Sequence, residues 1–76
     1  MNIYTNLLQL AIDEGKDTAM ARAQELQLAL TTIMEIGDEE ERAAMAHPLY
    51  SIEHAIRDIV NHYSQLPTLV AEASAR

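Results

Sequence analysis

The sequence predicts an all-α protein: a long helical hairpin of one domain, residues 1–76, that dimerises into a four-helix bundle. Three observations carry that expectation. Apolar residues recur at steps of three and four along most of the chain. The first half is built from Leu, Ala, Gln, Glu and Met, all good helix formers. The breakers are few, with Gly15, Gly37, Pro48 and Pro67 as the only glycines and prolines.

The first element is read as one helix over residues 3–36. Leu8, Ile12, Gly15, Ala19, Ala23, Leu26, Leu30 and Ile33 fall on a single stripe at 3.6-residue spacing. The Gly-x3-Ala-x3-Ala centre of that stripe leaves little side chain between two backbones, so another helix can approach closely there. Gly15 admits two readings. It can end a short first helix within the polar run Asp13-Glu14-Gly15-Lys16-Asp17, or it can lie inside a continuous helix at a cost of up to roughly 1 kcal/mol. The stripe keeps its phase across Gly15, which favours continuity.

Gly37 follows the last periodic residue, where a helix-terminating glycine is expected. Residues 37–47 then read as an acidic connecting segment, with Asp38 capping a short turn that begins Glu39-Glu40-Glu41. His47-Pro48 marks the next start, because proline suits a first helical position. The second helix is expected over residues 48–65. Its seam is Leu49, Ile52, Ile56, Ile59, Tyr63 and Leu66, at alternating steps of three and four. Pro67 kinks or ends it, and residues 68–75 resume as a turn or two that frays at the terminus.

The expectation of a dimer follows from the faces. Opposite the main stripe of the first helix lie Ile3, Leu10, Ala21 and Leu28, with Met20 nearby. A helix apolar on two sides is normally buried on two sides. One side can take the chain's own second helix, and a second copy covers the other. A 76-residue chain with no cysteine also lacks disulfides as a source of stability, so association is the expected remedy.

Composition narrows the function. Twelve acidic against five basic residues give a formal charge of −7, which repels phosphate backbones and membrane surfaces. Direct nucleic-acid binding and membrane association are therefore not expected. Neither a secretion signal nor a membrane-length apolar run is visible, and the expected compartment is cytoplasm, bacterial or that of a host if the chain is phage-encoded.

Three constellations bear on chemistry. His54, Asp58 and His62 step by four along one helix face and carry zinc-type ligand atoms. The outer two would lie more than about 10 Å apart along the axis, so a solvated polar face is expected and no metal or other cofactor. Tyr50, His54, Arg57 and Asn61 form an exposed stripe rich in the residue types that dominate binding hot spots. This is the best candidate partner-binding surface, although an exposed Tyr on a small helix is also commonplace. Asp38, Glu39, Glu40 and Glu41, with Asp13, Glu14 and Asp17 upstream, could imitate the phosphates of a duplex or could simply be solvated. Finally, no phosphate-binding glycine loop, nucleophile elbow or His-Glu-x-x-His pattern occurs, so catalysis is not expected.

Size, acidity and helical pattern are shared by phage-encoded antagonists of host proteins, antitoxins, small secretion chaperones and adaptor subunits. That is a likeness of composition and names no family. The expected role is a dimeric, non-enzymatic regulator that occludes a partner protein. The alternatives are an acidic decoy for a nucleic-acid-binding site and a structural subunit of a larger helical assembly.

Overall fold

Asn2 starts the first helix, its side-chain oxygen accepting the Thr5 amide at 2.7 Å. Such a cap satisfies one of the donors that every helix N-terminus leaves open. The computed structural model describes residues 2–75 and orders them as α1 (Ile3–Glu14), α2 (Lys16–Ile36), α3 (Glu39–Asn61), a 3-10 turn (Tyr63–Gln65) and α4 (Leu66–Ser74). The described residues are all-helical, without a strand. No helix among them is long and apolar enough to cross a membrane.

The expected single helix over residues 3–36 is two helices. Gly15 takes φ 101°, ψ 162°, a backbone region nearly reserved to glycine. Its amide donates to the Ala11 carbonyl at 3.0 Å, and its carbonyl accepts from the Ala19 amide at 3.2 Å. One residue thus closes α1 and opens α2. The helical row that joined Ile12 to Ala19 in the sequence is interrupted there, and the chain direction changes. The consequence is packing: α1 folds against both α2 and α3, which a straight continuation of α2 could not do. Leu7 and Leu8 become buried with Ala19 and Ala23, and each buried leucine contributes roughly 1.5–3 kcal/mol.

The small-residue stripe is corrected in the same way. Ala19 and Ala23 are fully buried at a helix contact, but nothing lies within 4 Å of a Cβ built on Gly15. Gly15 serves the turn, not a close approach. Leu26 and Leu30 are half-buried, and Ile12 and Ile33 are exposed, so the eight predicted packing positions do not share one interface.

Gly37 ends α2 in extended backbone, with its amide on the Ile33 carbonyl at 2.7 Å. Glycine is needed there for space, since a Cβ would meet that carbonyl oxygen at 2.6 Å. Asp38 caps α3 by accepting the Glu41 amide at 2.9 Å. The acidic segment is therefore not a connection. Glu39, Glu40 and Glu41 are the first turn of α3, where carboxylates suit the positive end of the helix dipole. Pro48 sits inside α3 and does not start it. The carbonyl it leaves without an amide partner belongs to Ala44, which is exposed, so water can take over.

α3 ends at Asn61, and Tyr63 leaves the predicted seam for the 3-10 turn. Its hydroxyl donates to the Ala11 carbonyl at 3.4 Å, tying this corner to the end of α1. Pro67 neither kinks nor ends the helix; it lies in the first turn of α4, where a missing amide costs nothing. Of the other seam residues, Ile52, Ile59 and Leu66 are fully buried, joined by Ala55, while Leu49 and Ile56 are half-buried. α2 packs along α3, α1 packs on both, and α4 packs on α1. Four helices of one chain thus enclose a core of Leu7, Leu8, Ile52, Ile59 and Leu66 with small alanines between.

Candidate functional site

On the α3 face away from the core, helical spacing sets Tyr50, His54 and Asp58 in one row. α1 brings Tyr4 to them from the other end of the sequence. The Tyr4 hydroxyl donates to Asp58 Oδ2 at 2.6 Å, and His54 Nε2 stands 3.7 Å from the same oxygen. The Tyr4 and His54 rings stack with centroids 4.8 Å apart. The Tyr50 ring also lies nearly parallel to His54, with centroids 6.1 Å apart. His54 Nδ1 is buried and has no hydrogen-bond partner among the described residues.

Two clefts meet at this row. One, of about 340 Å³, is lined by Tyr4, His54, Asp58, His62, Glu72 and Ala73 among others. The second, of about 480 Å³, is lined by Asn2, Tyr4, Tyr50, Ser51, His54 and Ala73 among others. Tyr4, His54 and Ala73 belong to both, so the clefts form one groove between α3 and α4 with α1 beneath.

The predicted stripe is realised unevenly. Tyr50 and His54 come together, and Tyr50 is 64% exposed. Arg57 and Asn61 are exposed on the same helix but line neither cleft. The wet face expected for His54, Asp58 and His62 is corrected at Asp58, which is only 7% exposed because Tyr4 covers it; His54 is half-buried and His62 is exposed. His62 caps the end of α3 and lines the first cleft. Among the described residues, no group of three or more His, Cys, Asp or Glu side chains is placed to hold a metal ion.

Two contributors were missed by sequence reasoning. Tyr4 lies one helical turn before Leu8, which marks it as facing inward, but nothing local points to a partner 54 residues away. The α4 wall, with Leu69, Glu72 and Ala73, was expected to be a fraying turn or two. The acidic residues Glu39, Glu40 and Glu41 are exposed and lie outside this groove. The chain matches no family model, and no curated protein or solved structure shows significant similarity to it.

Proposed function

We propose that this chain is a small, acidic, non-enzymatic regulator that binds a partner protein through the Tyr50 face of α3 and modulates it by occlusion. The observation that carries the reading is the exposure of Tyr50 beside His54 on the lip of the groove. A large aromatic ring held at a cleft edge combines apolar area with a hydroxyl, the pairing that makes Tyr a frequent hot spot. Arg57, one turn beyond His54, adds a directed charge on the exposed surface of the same helix.

The reading includes a homodimer formed through the outer part of α2. Its support is Leu28 and Ile36, which are 70% and 81% exposed. An acidic decoy resting on Glu39, Glu40 and Glu41, and a structural subunit, are the rival readings.

Replacing Tyr50 and Arg57 by Ala tests the assignment. Both are exposed, so stability should change by less than about 0.5 kcal/mol each. Affinity for the partner, identified by affinity capture and mass spectrometry, should fall by about 2 kcal/mol or more. Glu39, Glu40 and Glu41 changed together to Gln should bind as the parent does. Loss of binding in the Gln variant with retention in the Ala variant overturns the reading in favour of the decoy.

A further inference from the structure

We propose that the cleft between α1 and α2 receives Ile36 from a second copy of this chain, the two α2 helices packing antiparallel about Ala29. This rests on the homodimer reading and gives it a seam, a register and a cavity.

Helical spacing puts two rows on α2. Ala19, Ala23, Leu26 and Leu30, at steps of four, three and four, face the chain's own core. Arg22, Leu26, Ala29, Ile33 and Ile36, at steps of four, three, four and three, form a second row beside it. Ala29, Ile33 and Ile36 are exposed, and Ile36 is the most exposed large apolar side chain among the described residues. At its other end this row enters a cleft of about 380 Å³, lined by Ile3, Asn6, Leu7, Leu10, Arg22 and Leu26. None of those is a carboxylate, in a chain that carries twelve acidic residues. An apolar cleft and a bare apolar side chain thus lie at opposite ends of one row.

A two-fold axis brings them together. With Ala29 on the axis, position 22 of one copy stands opposite position 36 of the other, because both lie two helical turns, about 10 Å, from Ala29. The small side chain at the crossing lets the two backbones approach. Charge selects the antiparallel arrangement. α2 has no basic residue in its last turn, and Glu35 and Asp38 sit at that end. Arg22 of the second copy arrives there, where the negative pole of the helix and the carboxylates favour a guanidinium. The contact of Arg22 Nη1 with Glu25 at 3.3 Å uses one of five N–H donors and leaves the rest. Parallel packing would bring two Glu39-Glu40-Glu41 turns together, whereas antiparallel packing sets them at opposite ends of the dimer.

The chain has no cysteine, so single replacements report the register. Ala29→Cys should give a disulfide-linked dimer under mild oxidation, read on a non-reducing gel. Ile36→Cys should link to itself at least about tenfold more slowly, since its two copies stand about 20 Å apart and a disulfide needs Cα atoms within about 7 Å. Mixed with Arg22→Cys, it should link to that chain instead. In sedimentation of the full chain, Ile36→Ser should weaken self-association at least about tenfold. Asn6→Trp, which plugs the cleft from an exposed position, should do the same. Leu28→Ser, about 120° round the helix from the row, should leave association unchanged.

Fast self-linking of Ile36→Cys, or unchanged association in Ile36→Ser or Asn6→Trp, overturns the proposal. The homodimer reading fails separately. Association lost in Leu28→Ser alone keeps the homodimer and removes this seam. A parent that sediments as one chain at every concentration, with no Ala29→Cys link, removes both.

Discussion

The two ends of α2 and α3 differ, although the same pair of helices runs through both. At one end, every buried apolar side chain falls within residues 7–23 or 52–66. At the other, over residues 27–46, no side chain is buried, and Leu28 and Ile36 are largely exposed. Both ends carry apolar residues at helical spacing, so pattern does not explain the difference. α1 and α4 do. Two helices share a seam but enclose nothing; a third and fourth layer are needed before an isoleucine loses all its water. Leu30 and Leu8 belong to one predicted stripe, yet Leu30 is half-buried and Leu8 fully so.

The sharpest way to break this comparison is to delete the same kind of volume at each end. Ile52→Ala should cost about 2–5 kcal/mol in denaturant unfolding, because its cavity is walled on all sides. Leu30→Ala should cost about 1 kcal/mol, in line with partial burial. Equal losses would mean the two ends are packed alike.

The joint that allows α1 to cover the packed end is Gly15, and its substitution is decided by sign. At φ 101°, ψ 162°, a side chain is strained, so Gly15→Ala should destabilise the chain by roughly 1–3 kcal/mol. A helix continuous through this point would instead be stabilised, by up to roughly 1 kcal/mol. A rise in thermal midpoint therefore refutes the broken helix and with it the origin of the packed end.

The smallest effect belongs to the open end. Ile36→Ser should shift stability by less than about 0.5 kcal/mol, since the side chain is 81% exposed. Sedimentation then sharpens the contrast. If a second copy covers this end, the variant's average mass should drop towards one chain at a concentration where the parent is dimeric. An unchanged mass places any association elsewhere.

Part of the candidate site was legible before any fold was known. Tyr50 and His54 share a face by their spacing alone, and the acidic turn, Asp38 and the absence of a basic patch are read directly from the chain. The floor and far wall were not. Tyr4 and Asp58 are 54 positions apart, and Glu72 enters only because α4 packs back on α1. Asp58 looked solvated for the same reason: its own helix puts it off the apolar seam, and the lid comes from another element.

What the sequence determined by itself is local. Helix-forming composition, Gly37 as a stop, Asp38 as a cap and the placing of Ile52 and Ile59 on one helix seam rest on hydrogen bonds and side-chain rows within a few residues of one another. The tertiary structure decided what depends on free energy gathered far away. Gly15 gives up helical backbone because Leu7 and Leu8 gain burial against α2 and α3. Pro48 stays within a helix because the cap at Asp38 and the packing of α2 along α3 hold both flanks. In each case a residue's intrinsic preference permits two outcomes separated by about 1–3 kcal/mol, and only the packed neighbours supply enough to choose between them.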